Sequence, residues 1–404
     1  MKKLLYPAMI FAGLTLASCS GDDANEPISG GNEVEAPANY TFERNNSTVS
    51  YGGQTARLQM TKEILSNFTN FESASEEMLL NMFANENSPF ESAALNESGK
   101  SVKSKVAASN LYFSANTVES SEIKNDFASW ISEQMTTVKM NKDELAEAGQ
   151  SGQIAQGTRV RYVNEKGLEL NQAFAKGLIG GLLADQILNN YLSQSVLDEA
   201  DNRENNNNGI TEEGEAYTTM EHKWDEAYGY LYGDPSIPTS NPNSVLNESE
   251  DNLLFSYLGQ VDADEDFAGL AESTFDAFKE GRAAIVAGNY EVRDEQVEII
   301  RENISKVIAV RAVHYLQGGK NALSEENFGA AFHELSEGFG FIYSLRFTHN
   351  PATDMPYLSK EKINEFKEQL LDGNGFWDVT PETLDMISED IATAFDFTVA
   401  EAAE

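Results

Sequence analysis

The sequence predicts an all-α protein of two helical bundles related by internal duplication, preceded by a short β-hairpin. Three observations predict it. From Gln54 onward, apolar residues recur at spacings of three and four, the period of an amphipathic helix. One eleven-residue pattern occurs twice, as HKWDEAYGYLY at 222–232 and as HELSEGFGFIY at 333–343. Between the copies, the stretch 233–250 holds three prolines and no periodicity, which marks a boundary between two folded units.

The amino-terminal end reads as an export signal. Lys2 and Lys3 precede an apolar run from Leu4 to Leu16 that is too short to span a bilayer. Leu16-Ala17-Ser18-Cys19 then resembles the lipobox of bacterial lipoproteins, in which the cysteine is lipidated and becomes the mature first residue. Cys19 is the only cysteine, so the mature chain is expected to hold no free thiol and no disulfide. Outer-membrane anchoring follows from this resemblance. The acidic run after Cys19, Ser20-Gly21-Asp22-Asp23, is similar to surface-export signals of Gram-negative lipoproteins, which extends the expectation to surface exposure. The predicted organisation is a signal peptide over 1–18, a flexible tether over 19–38, a first bundle with its hairpin over 39–235, a linker over 236–250 and a second bundle over 251–404.

Charge narrows the partners. With 28 basic and 66 acidic residues the formal charge is −38, which repels nucleic acid and anionic lipid surfaces. The excess serves solubility if it is spread over solvated helix faces; attraction of cations needs carboxylates that converge. At 404 residues the chain exceeds what one core usually serves.

Element by element, Tyr40–Arg44 and Thr48–Tyr51 flank the turn-forming Asn45-Asn46 and read as a hairpin, the only convincing strand signal. Leu58, Thr61 or Lys62, Leu65 and Phe68 form one helical stripe; Phe127, Trp130, Ile131 and Gln134 begin another. Residues 84–110 are rich in Asn and Ser and read as irregular. Residues 171–192 form a long helix with Gly177, Gly180 and Gly181 inside it. Each glycine costs roughly 1 kcal/mol against alanine, so three of them predict close approach of another helix. The stretch 201–209 reads as a polar loop. A further long helix runs from Asp294 to Gln317, its seam of Val297, Ile300, Ile304 and Val307 ending in Arg311 and His314. Gly318-Gly319 reads as a break, with Ser324 capping the next helix.

The duplicated segment carries the candidate chemistry. His222 with Glu226, and His333 with Glu337, stand four residues apart, on one face of a helix. One reading is a hydrogen-bonded pair that fixes helix packing. The other is a cation site: imidazole and carboxylate suit iron or zinc, with Asp225 beside copy one and His314 beside copy two as further ligands. Arg311 is a candidate partner for Glu337, and Trp224 and Ser336 are candidate ligand contacts.

Phe332-His333-Glu334-Leu335-Ser336-Glu337 resembles the Gly-x-His-x-x-Glu motif of imelysin-like proteins, which are exported helical double bundles associated with iron uptake. Ala331 stands at the motif glycine and Ser336 at its glutamate; copy one has Met220, His222 and Asp225 there. More broadly, the Tyr40-Thr-Phe-Glu-Arg44 start, Trp224–Gly229 and the lipobox are similar to an uncharacterised lipoprotein family related to the imelysins, over most of the mature chain. The resemblance implies an imelysin-like fold, iron or an iron-bearing ligand as cargo, and a TonB-dependent receptor or an imelysin-like protein as partner. It also raises two alternatives: a metal-dependent peptidase of imelysin type, or a non-catalytic adaptor for a transport receptor. Against a zinc protease of the His-Glu-x-x-His kind, the second histidine position holds Glu337. No Gly-x-Ser-x-Gly elbow, phosphate loop or dinucleotide fingerprint occurs.

Overall fold

The structure, a computed structural model, describes residues 32–403; the signal peptide, Cys19 and most of the tether lie outside the described residues. The fold is predominantly helical. An amino-terminal hairpin is present but shorter than expected, as β1 (Glu43–Arg44) and β2 (Asn46–Ser47): the second strand falls within the expected turn rather than at Thr48–Tyr51, and Asn45 takes the left-handed conformation that the turn requires. Then come α1 (Gly52–Asn67), α2 (Glu76–Ala84), which Ser75 caps, and α3 (Thr117–Glu133), which buries Phe127, Trp130 and Ile131.

A second hairpin, β3 (Gly152–Gln156) and β4 (Arg159–Val163), was not expected from the sequence. Its alternation is masked because charged and polar side chains stand on both of its faces and Val160 is exposed. The predicted glycine-bearing helix follows as α4 (Leu170–Leu178) and continues through π-helical turns at Ile179–Ala184 and Ile187–Tyr191. The expected polar loop contains a short helix at Asn202–Asn207. Next are α5 (Thr219–Tyr232), α6 (Leu254–Asp262), α7 (Leu270–Ala287), α8 (Tyr290–Ser324), α9 (Phe328–Ser344), α10 (Lys360–Leu371) and α11 (Pro381–Ala394).

Two expectations about α8 and α9 fail for one physical reason. Gly318 and Gly319 do not break α8; they lie where α9 crosses it, and a Cβ on Gly319 would strike Leu335. Packing thus outweighs a helix cost of roughly 1 kcal/mol per glycine. With α8 continuing, Ser324 becomes its last residue, and Asn327 caps α9 by accepting the Ala330 N–H.

The long helix α8 is the axis of the molecule, packed against α7, α9 and α11, while α9 lies on α4 and α5 on α1 and α7. Buried residues from both sides of 236–250 join one cluster, with Tyr232 edge-on to Phe255, Phe275 and Phe278. The glycines of α4 do admit a helix: Gly180 faces the backbone of Ser344, whose Oγ accepts the Gly180 N–H at 2.8 Å and donates to the Lys176 carbonyl at 2.6 Å. No helix among the described residues is long and apolar enough to cross a membrane.

These contacts separate two kinds of glycine. Gly180→Ala should lower stability by about 1–3 kcal/mol, because the new methyl meets backbone. In Gly318→Ala the methyl meets only the flexible end of Glu334, so stability should stay level or rise by up to about 1 kcal/mol. Denaturant unfolding of the two variants checks this.

Candidate functional site

Helix α5 carries the first copy of the repeated pattern and presents two polar faces. It starts with a capping box: the Thr218 hydroxyl accepts the Glu221 N–H, and the Glu221 carboxylate accepts the Thr218 N–H. Glu221 and Asp225, one turn apart, then point inward to Arg282 of α7. The guanidinium is fully buried and donates to Asp225 Oδ1 at 3.1 Å, Glu221 Oε1 at 3.1 Å and Thr48 Oγ1 at 3.0 Å. The amino-terminal segment completes the network. Tyr40 donates its phenol to Asp225 at 2.6 Å, the Ser50 N–H reaches the other Asp225 oxygen at 3.2 Å, and Arg44 forks onto Glu221 at 2.9 and 3.0 Å. Burial pushes the Asp225 carboxyl up from its ordinary range, opposed by Arg282 and the donors from Tyr40 and Ser50. Burial also works to raise Glu221, but Arg44 and Arg282 outweigh it and hold that carboxyl low.

A second face of α5, about 100° around the helix from Glu221 and Asp225, is open. His222, Lys223 and Glu226 line a cavity of about 600 Å³ together with Arg57, Lys100 and Lys105. His222 stacks on Tyr217 with ring centroids 4.5 Å apart, and its Nδ1 is buried without a hydrogen-bond partner among the described residues. Glu226 accepts from Gln54 at 3.1 Å and from Lys223 at 3.2 Å. Burial works to raise its carboxyl, yet Lys223, His222 and Gln54 together hold it below the ordinary carboxylate range. Tyr191, at the end of the α4 extension, forms another wall beside Glu226.

Helix α9 carries the second copy in drier surroundings. His333 places Nδ1 3.1 Å from Glu169 and Nε2 3.9 Å from Glu337. Glu337 pairs with Lys176 of α4 at 3.1 Å; Lys176, His333 and the Tyr315 phenol hold its carboxyl low although burial works to raise it. Burial and the nearby Glu337 push Glu334 the other way, up. Ser336 accepts the Glu169 N–H at 2.8 Å and donates to the Phe332 carbonyl at 2.5 Å, so it braces the start of α4.

The sequence-derived candidates therefore divide. His222 and Glu226 meet in the cavity of copy one, whereas Asp225 turns away into the buried network. In copy two, His333 and Glu337 meet with Glu169, and Arg311 lies over the Tyr315 and Tyr257 rings at 4.4 and 5.5 Å rather than paired with Glu337. His314 stands edge-on to Tyr315 at 5.4 Å. Trp224 is buried, donating its indole N–H to the Phe278 carbonyl at 3.0 Å and resting on Gly281. Among the described residues, no group of three or more His, Cys, Asp or Glu side chains is arranged to hold a metal.

Sequence reasoning missed the basic wall of the cavity. Its signal was present, since Lys100, Lys103 and Lys105 fall within six positions of a chain with few basic residues. It also passed over His349. This side chain is fully buried, with Nδ1 3.0 Å from Asn189 and 3.1 Å from the Tyr112 hydroxyl, and Nε2 3.4 Å from Asp354. Burial, reinforced by Arg301, lowers its pKa to about 4.

The two copies share one arrangement that distance alone does not dictate. Tyr191 lies beside Glu226 and against the Tyr230 ring, 6.0 Å between centroids; Tyr315 lies beside Glu337 and against the Phe341 ring at 5.6 Å.

Residues 37–398 match the model of a domain of unknown function, DUF4856, and the chain belongs to that family. No curated protein matches the chain, and no solved structure does.

Two outcomes follow from the geometry. Asp225→Ala leaves Arg282 buried with half its charge compensation and should cost about 3–5 kcal/mol by denaturant unfolding. His349 is buried neutral, so its stabilisation is complete above its unfolded pKa of about 6.5 and is lost as pH falls toward about 4. Asp185 and Asp251, each raised to about 6 by burial, act in the opposite sense across that window. The His349 part is therefore read as a difference: His349→Asn should lose less stability than wild type between pH 7 and pH 5. Below about pH 4.3, the lowered carboxyls of Glu221, Glu226 and Glu337 are protonated in turn and both proteins weaken together.

Proposed function

We propose that this member of the DUF4856 family is an exported, lipid-anchored binding protein whose ligand, iron or an iron-bearing molecule, occupies the cavity beside α5. The observation that carries the reading is an open cavity into which His222 brings a buried Nδ1 with no hydrogen-bond partner among the described residues, beside the Glu226 carboxyl that its neighbours hold low. A cavity of about 600 Å³ lies within the range of small-molecule sites. The lipobox at Cys19 supports anchoring at the outer membrane, and the imelysin-like motif around His333 supports the iron-uptake setting and a TonB-dependent receptor as the neighbour.

We infer also that the two copies descend from one duplicated bundle. The recurrence of the eleven-residue pattern 111 positions later supports this, as do the matched Tyr191–Glu226–Tyr230 and Tyr315–Glu337–Phe341 groupings, whose upstream tyrosines stand 124 apart. On this reading the second site closed when α4 packed over it and brought Lys176 to Glu337, while the first stayed open.

Anaerobic titration of the purified full chain in detergent, with ferrous iron, ferric iron, haem and zinc, tests the proposal. At least one of the iron species should bind at micromolar levels, at least tenfold more weakly in His222→Ala and unchanged in His333→Ala. Absence of any iron or haem binding to wild type sinks it.

A further inference from the structure

We infer that the cavity beside α5 selects a small polyanion, a molecule bearing several carboxylate or phosphate groups. This deepens the proposal above, since it rests on the same cavity being a binding site, but it concerns charge rather than iron. The chain has a formal charge of −38 and only 28 basic residues, yet four of them, Arg57, Lys100, Lys105 and Lys223, line this one cavity. Two carboxylates, Glu199 and Glu226, share the lining, so the cations outnumber them. Lys223 pairs with Glu226, but among the described residues no carboxylate lies within ion-pair distance of Arg57, Lys100 or Lys105.

Arg57 shows that the positive charge is built in. It is only 6 % exposed, and its Nε and Nη1 donate to the carbonyls of Ser101 and Gly53 at 3.1 Å each. Carbonyl partners orient a guanidinium without neutralising it, so the remaining charge faces the cavity that it lines. The Lys105 ammonium lies over the Tyr191 ring at 5.1 Å, near Arg57, Lys223 and Lys100, with Glu226 as the one nearby charge of opposite sign. Three like charges around a half-buried lysine raise the free energy of the empty site, and an anion would relieve that repulsion.

The backbone contributes in the same sense. Helix α1 begins at this wall, where Gly52 and Gly53 line the cavity, with no side-chain cap and no acidic residue in its first turn. Its positive end therefore adds to the cations rather than being quenched. The His222 imidazole and the amides of Asn110, Asn190 and Gln54 supply further hydrogen-bonding groups around them. A bare metal cation fits this lining poorly, because Lys223 and Gln54 already hold Glu226 and four positive charges surround it. Iron would enter as a negatively charged chelate.

Calorimetric titration of the full chain in detergent with citrate and with pyrophosphate tests the inference, and the two arms separate carboxylate from phosphate chemistry. At least one should bind with a dissociation constant below a millimolar. Affinity should fall at least tenfold in Lys100→Gln with Lys105→Gln, two side chains outside the core, and should weaken steeply as salt rises. Failure of both anions to bind wild type at millimolar concentration overturns the inference, as does unchanged binding in the double variant. The two proposals fail separately. Iron or haem binding that neither citrate nor the lysine changes affect leaves the iron reading and removes this one; anion binding without any iron binding does the reverse.

Discussion

A fully buried arginine shared between two carboxylates, Arg282 with Asp225 and Glu221, is the constraint on which the first half of the molecule depends. Taking these charges out of water costs several kcal/mol per ion, and the cost is met only where every donor has an acceptor. The network meets that condition by recruiting Tyr40, Arg44, Thr48 and Ser50 from the amino-terminal segment. It thereby fixes a strand-like leader, α5 and α7 in one geometry, although they are far apart in sequence. Arg282 also lies 4.8 Å from the Phe42 ring, so the hairpin covers the charge it helps to neutralise.

Once α5 is pinned on that side, its other side is committed to solvent. His222 and Glu226 emerge one turn apart over the start of α1, and the same leader that reaches Asp225 through Ser50 delivers Gly52, Gly53 and Gln54 to the cavity wall. The stability network and the candidate site are thus two faces of one helix. In the second copy, the corresponding face lies against α4, where Gly340 admits the stem of Lys176 and the lysine ammonium reaches Glu337. Both glutamates hold a lysine, Lys223 at 3.2 Å and Lys176 at 3.1 Å; the second pair differs in that its lysine comes from a helix packed over it.

How much of this was legible depends on what kind of information each feature uses. Helices with a regular apolar stripe, such as α3, α8 and α9, were readable because burial imposes a period of 3.6 on the sequence itself. The interruption expected at Gly318-Gly319 was misread because a glycine that breaks a helix and one that admits a neighbour look alike until the neighbour is known. The β3–β4 hairpin escaped because it is short and largely exposed or half-buried, and only β4, where Val160 and Tyr162 alternate with Arg159 and Arg161, carries a strand pattern. Within the site, the helical spacing correctly joined His222 to Glu226. It could not place Asp225, because a residue three positions on can turn to either side of a stripe, and Arg282, fifty-seven positions later, decides which. Nor could it find Arg57 or Lys105, which reach the cavity only through the tertiary fold.

The protein that emerges holds a positively lined cavity inside a strongly acidic surface. Acidic faces repel anions at long range, so a ligand that enters must be captured by short-range contacts to Arg57, Lys100 and Lys105. The most direct test is a crystal structure of the protein grown in the presence of citrate or pyrophosphate. The account predicts ordered density for the anion in the cavity beside α5, in contact with Arg57 and Lys105. A cavity filled only by water while the anion binds elsewhere, or not at all, would contradict it.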